Sequence, residues 1–136
     1  MRNVWVQRTM LLSIFILLDY LVTLFLISYP AEEANAFARS FMEIFGVGLG
    51  LSLFCVLINL PIYLILGLLA FYSESRRFVA LPFATPGLDI MFAWFVAGTH
   101  FSGALSWIST GSTLLYQSAG ALLYLCALFF VSKKLK

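Results

Sequence analysis

The sequence predicts an all-α polytopic membrane protein, a four-transmembrane-helix bundle with a short interfacial helix between spans 1 and 2. Three observations predict it. Of 136 residues, 62% are hydrophobic and only 10% are charged, whereas about a quarter of residues in a soluble domain carry charge. The apolar residues gather into long runs and do not alternate with a period of two. Each run supplies the roughly 20 residues that a helix needs to cross a 30 Å hydrocarbon core. The whole chain, residues 1–136, reads as a single transmembrane domain with no soluble part left over.

The first span is expected over residues 9–29, ended by Pro30 and a polar stretch containing Glu32 and Glu33. Arg2 and Arg8 before an apolar run, with Ala34-Asn35-Ala36 after it, raise the alternative of a cleaved signal peptide. The run is too long for that and carries Asp19 at its centre, so it is read as a retained span. In the following loop Ala34, Phe37, Phe41 and Ile44 form one stripe, with Glu43 four residues after Arg39. Such a pattern fits a short amphipathic helix at the membrane surface. Gly46, Gly48 and Gly50 open the second span, which is expected over 46–72 with a kink at Pro61. Pro82 and Pro86 interrupt the basic connector that follows. The third and fourth spans are expected over 88–109 and 112–131, divided by Ser109-Thr110-Gly111-Ser112.

Charge orients these spans. With four crossings, Arg2, Arg8, Arg76, Arg77, Lys133, Lys134 and Lys136 share one side, and Arg39 faces the other with Glu32, Glu33 and Glu43. The positive-inside rule then puts both termini in the cytoplasm of a multi-pass plasma-membrane protein. Trp5, Tyr29, Tyr72 and Trp107 fall near span ends, where an aromatic belt belongs.

Polar groups at membrane depth need protein partners or water. Counted from the span ends, Asp19, Asn59 and His100 each lie near the middle of their helix, and Thr23 sits one turn from Asp19. These four form the expected intramembrane polar cluster. One reading is interhelical hydrogen bonding that fixes helix pairing and register. The other is a proton or ion site, in which Asp19 holds or shares a proton with His100 and Asn59 completes the bonding. Small residues mark expected helix packing: Ala93 and Ala97 beside His100, and Gly46 with Gly50 on the second span. Asp89 has a bland reading as an acid in a helix's first turn. Cys55 and Cys126 lie at different depths and read as unpaired packing residues.

No catalytic residue set is expected, and the chain reads as a non-enzyme without cofactors. A single histidine cannot make a bis-histidine haem site or an ordinary zinc site. Nucleophile-elbow, Walker and dinucleotide signatures are absent. Glu32-Glu33, Arg39 and a later histidine match intramembrane prenyl-type proteases in residue type but not in spacing. The basic residues form no aromatic-rich surface for nucleic acid.

Leu18-Asp19-Tyr20-Leu21-Val22-Thr23, followed by Glu33-Ala34-Asn35, resembles an uncharacterised prokaryotic family of small membrane proteins. That family bears D-x-x-x-T in its first span and E-x-N-P just after it. Ala36 stands in the place of the proline, and the resemblance covers the first half of the chain. It implies Asp19, Thr23, Glu33 and Asn35 as marked positions and implies no activity.

Small size, scant extramembrane mass and fourteen phenylalanines lead to the expectation of a non-catalytic accessory or assembly subunit. Its partners would be the lipid bilayer and other membrane subunits, or further copies of itself. Two alternatives stand beside it. One is a small homo-oligomeric proton or ion channel or transporter working at the Asp19–His100 level. The other is a lipid- or quinone-binding protein using the region near Trp94 and His100.

Overall fold

A computed structural model describes residues 4–61, 64, 68 and 84–134. Among these every regular element is helical. Helix α1 spans Val4–Leu26, ending three residues short of the expected limit. The break is local chemistry: Pro30 opens a short 3₁₀ turn, Pro30–Glu32, and the Glu32 carboxylate accepts the Ser28 and Tyr29 amides at 2.7 and 3.3 Å. That bonding takes up backbone donors that a continued helix would have used.

Helix α2 spans Ala36–Phe45 and is capped by Asn35, whose side chain accepts from the Phe37 and Ala38 amides. The face it buries is offset from the expected stripe and shares Phe41 with it. Ala38 and Met42 pack inward against Ile27, Leu51 and Phe54, while Phe37 and Ile44 are exposed. Arg39 donates to the Glu33 carbonyl, with no ion pair to Glu43 among the described residues. Gly46 joins α2 to α3 (Val47–Phe54) at φ +81° and ψ 160°, a backbone region open essentially to glycine alone. It meets no neighbouring atom, so its contribution is conformational and not the helix packing expected of it. Gly50 is the packing residue, since a Cβ there would strike the Phe41 carbonyl and the Met42 backbone.

A wide π-turn, Cys55–Asn59, continues α3, with the Leu60 amide reaching back to the Cys55 carbonyl. Pro61 follows at once and lacks an amide hydrogen, so the expected kink takes the form of this widened turn. Most of the rest of the second span, most of the basic connector and the side chain of Trp5 lie outside the described residues.

The third helical rod runs from Ala84 to Ser106 as α4 (Ala84–Met91), a π-turn (Phe92–Gly98) and α5 (Thr99–Ser106). It starts four residues earlier than expected, because Pro86 falls in the first turn, where a missing amide donor costs nothing. Helix α6 spans Thr113–Lys134. Three stretches are long and apolar enough to cross a membrane, Gln7–Leu26, Gly87–Ser106 and Thr113–Val131; Val47–Asn59 is a shorter apolar helix. These are the dimensions of a helical membrane protein.

In lipid, helices gain little from hydrophobic association and pack closely where small residues let backbones approach. Ala93 and Ala97 are fully buried. A Cβ on Gly98 would lie 2.6 Å from the Gln117 carbonyl, and one on Gly120 would lie 2.5 Å from the Phe101 Cβ. The third rod and α6 are thus in backbone contact, and the bonds from Ser102 to Thr113 and from Gln117 to Trp94 set them antiparallel. Phe15 of α1 closes this core edge-on against Phe101 and Tyr124, at 6.1 and 6.4 Å between ring centres.

Two polar pairs tie α1 to the third rod. Arg8 donates to both Asp89 oxygens, at 2.6 and 3.1 Å. About three helical turns further along each helix, His100 Nδ1 lies 2.8 Å from Asp19 Oδ2. Equal spacing on both partners means that α1 and the third rod run in the same direction. Asp89 therefore holds a guanidinium, which replaces the expected helix-dipole reading.

Candidate functional site

The second of these pairs sits in a cavity of about 630 Å³. Its walls come from α1, the 32–35 loop, α3 with its π-turn, the third rod and the start of α6. Asp19, Thr23, Glu33, Asn35, Asn59 and His100 all line it. Positions far apart in sequence thereby share one space. Asn59 departs from the expected role: its amide points to Cys55 Sγ at 3.9 Å, and the Asp19–His100 bond forms without it.

The two ionic pairs differ in setting. Arg8 is sealed, with 1% of its side chain exposed. Asp89 retains 20%, and Asp19 and His100 retain 24% and 16%; of the two pairs only the second lines the cavity. The pair is fixed on one side by its own backbone. A Cβ on Gly103 would lie 2.5 Å from Asp19 Oδ1, so only glycine leaves room for the carboxylate one turn after His100. Asp19 Oδ2 holds Nδ1, which leaves His100 Nε2 and Asp19 Oδ1 without protein partners among the described residues.

The widened turn just before Thr99 re-phases the rod. It allows Phe92, Ala93, Val96 and Ala97 to be buried in the core beside α6, while His100 and Gly103 meet Asp19 of α1. Gln117 supports that turn by donating Nε2 to the Trp94 carbonyl at 3.2 Å. Wide turns of this kind recur at functional sites. Ser102 Oγ donates to the Thr113 carbonyl at 3.2 Å, holding the start of α6 at the cavity wall.

No protein-family model matches the chain, and no curated protein or solved structure compared with it does so either. The site therefore speaks through its own chemistry.

Glu33 lies at the loop end of the cavity. Burial raises its carboxyl above the ordinary value of 4.5; the Asn35 amide opposes the rise and the Asp19 charge adds to it. A carboxyl raised in the folded state stabilises the fold most when protonated. Stability should fall as pH rises from the unfolded value through the raised folded value, then level off. Glu33→Gln keeps the acceptor that caps the Asn35 amide (2.7 Å) and removes the charge. Thermal unfolding in detergent between pH 4 and 7 is expected to show that decline in the wild type and a flatter profile in the variant. Parallel profiles would place Glu33 in open water.

Sequence reasoning did not single out Arg8, Gly103, Gln117 or the paired role of Asp89. A signal for the first existed. Arg8 and Asp19 are spaced as Asp89 and His100 are, with the charge order reversed.

Proposed function

We propose that this chain is a small non-catalytic proton- or ion-handling membrane protein whose working site is the polar cavity closed at its floor by Asp19 and His100. The observation that carries the reading is the joint lining of that cavity by Asp19, Thr23, Glu33, Asn35, Asn59 and His100. Structural pairing is already supplied by Arg8–Asp89, neither of which lines that cavity. Buried ionisable groups facing a space inside a helix bundle are the usual furniture of proton and ion pathways.

The chemistry needs few steps. Asp19 holds Nδ1 and so fixes the tautomer and orientation of the imidazole. His100 Nε2 is then the atom that takes a proton from an occupant of the cavity, or returns one. When Nε2 is protonated, the adjacent carboxylate balances the imidazolium charge. Gly103 keeps the carboxylate seated, and Thr23 contributes a hydroxyl one turn away.

The topology in this reading has four crossings. Its support is the shared direction of α1 and the third rod, which requires the chain between them to return. Tyr20 bonds Ser52 at 2.8 Å, and Ile27 packs with Met42, so α3 begins beside the end of α1. Asp89 stands level with Arg8, at the opposite end of that helix. The chain between Val47 and Asp89 thus starts at one end of α1 and finishes at the other. The positive-inside rule then turns the mouth of the cavity, with Glu32 and Glu33, away from the cytoplasm of a plasma membrane. Helix α2 lies at that surface, with Phe37 and Ile44 turned to lipid.

A second reading, an accessory subunit that packs against other membrane proteins or itself, draws on the apolar faces of α1 and α6, where Phe25, Leu115 and Phe130 are exposed. Recovery of a lone monomer after mild solubilisation would count against it.

Reconstituted vesicles test the leading reading. A pH-sensitive dye inside proteoliposomes is expected to report flux that falls at least about tenfold in Asp19→Asn and in His100→Ala, since one charge-assisted bond amounts to 1.5–3 kcal/mol. Flux that persists in both variants, or wild-type vesicles no leakier than empty ones, would eliminate it.

A further inference from the structure

We infer that the occupant of the cavity is a small organic cation, a protonated amine or quaternary ammonium, seated between the Asp19 and Glu33 carboxylates. The inference rests on the cavity being the working site, as argued above, and adds the class of ligand.

Charge gives the sign. Asp19, Glu32 and Glu33 line the cavity, and no lysine or arginine does so among the described residues. Asp19 uses one oxygen for His100 and leaves Oδ1 without a protein donor among those residues. An unpaired carboxylate oxygen in a half-buried site is costly unless a donor or a cation reaches it.

An independent observation points the same way. Thr23 is 4% exposed, lines the cavity, and has no partner for its hydroxyl among the described residues. Its side chain is held among neighbours while its hydroxyl stays unpartnered and is not among the sealed polar atoms, which leaves that hydroxyl free for an occupant of the cavity. An ammonium hydrogen or a ligand hydroxyl would satisfy it together with Asp19 Oδ1.

The remaining walls select an organic cation over a metal ion. Among the described residues no group of three or more His, Cys, Asp or Glu side chains is arranged to hold a metal. Tyr20, Phe54, Phe95 and Trp107 supply aromatic wall instead. Aromatic rings attract alkylammonium groups through their negative faces and their apolar surface, which is how quaternary ammonium ligands are recognised. The volume of about 630 Å³ falls in the range of small-molecule sites.

The same ammonium chemistry occurs in free amines and in the headgroups of ethanolamine or choline lipids. The test uses the full chain in nanodiscs of phosphatidylglycerol, which carries no ammonium. Tetramethylammonium titrated by calorimetry is expected to bind saturably in the millimolar range, and tert-butanol, similar in shape but neutral, is expected not to bind. Asp19→Asn should weaken tetramethylammonium at least about tenfold, through loss of the Coulomb attraction between carboxylate and cation. Glu33→Gln, in a loop outside the helix core, gives a second variant whose fold is not at risk, and it should weaken binding severalfold. Adding phosphatidylethanolamine to the nanodisc distinguishes the sources. Competition with tetramethylammonium assigns the site to a headgroup, and unchanged affinity assigns it to a free amine.

Equal binding of tert-butanol, full affinity in both carboxylate variants, or no saturable binding would overturn the cation. Flux that still depends on Asp19 and His100 would then leave the proton pathway standing. Flux indifferent to both residues removes that pathway, whichever ligand binds.

Discussion

Asp89→Ala is expected to destabilise the bundle by about 3 kcal/mol, the lower end of the cost of stripping one partner from a buried ion pair. Arg8 is sealed while Asp89 is 20% exposed, which is why the lower end applies. The Arg8 guanidinium donates to both carboxylate oxygens, and the substitution removes both of those acceptors. Replacing both partners, Arg8→Met with Asp89→Leu, should recover much of that loss, because matched apolar residues dispense with desolvation altogether. Chemical denaturation in mixed micelles measures both quantities. A single variant as stable as the wild type would show that this end of α1 is wet.

Gly103→Ala is expected to disable the site while sparing the fold. The added methyl carbon would lie 2.5 Å from Asp19 Oδ1 and 3.0 Å from its Cγ and Oδ2. Such distances force the carboxylate aside, and the 2.8 Å bond to His100 goes with it. Loss of a charge-assisted bond corresponds to about 1.5–3 kcal/mol, so dye-reported flux should drop about 10- to 100-fold. Alanine favours the helix over glycine by up to about 1 kcal/mol, which offsets part of the stability cost. Flux equal to wild type would mean that the carboxylate has another seat, and that Asp19 can serve without His100.

Most of the helical frame was legible, and for a simple reason. Lipid demands long apolar runs and punishes polar backbone, so α1, the third rod and α6 announce themselves in hydropathy. Asp19 and His100 were legible for the same reason, as polar groups that lipid would not tolerate alone. Finer features were not. Hydropathy does not record which carbonyl an amide chooses, so the widened turns at Cys55–Asn59 and Phe92–Gly98 left no trace beyond Pro61.

Helix α2 was visible as an amphipathic segment, but the stripe Phe37, Phe41 and Ile44 did not mark the whole of the face that packs on the protein. A surface helix beside lipid has two apolar environments available, and here Ala38, Phe41 and Met42 pack while Phe37 and Ile44 stay exposed. Asn59 satisfied itself locally through Cys55, four residues back on its own helix. Gly46 and Gly50 looked alike in sequence, and only backbone geometry separates a hinge from a packing contact. Gly103 carried a readable signal: a missing side chain one turn from a membrane-depth histidine leaves room for that histidine's partner.

The central claim is that Asp19 and His100 meet in a space that water enters from the Glu33 side. Thr99→Cys, with Cys55 and Cys126 changed to serine, puts a thiol on the cavity wall beside His100. Leu122→Cys in the same background is exposed on α6, away from that wall, and serves as a control. A membrane-impermeant maleimide applied to either face of oriented vesicles should label Thr99→Cys from the Glu33 face alone and leave Leu122→Cys untouched. A Thr99→Cys thiol silent from both faces, or reactive only from the Arg8 face, would contradict the account.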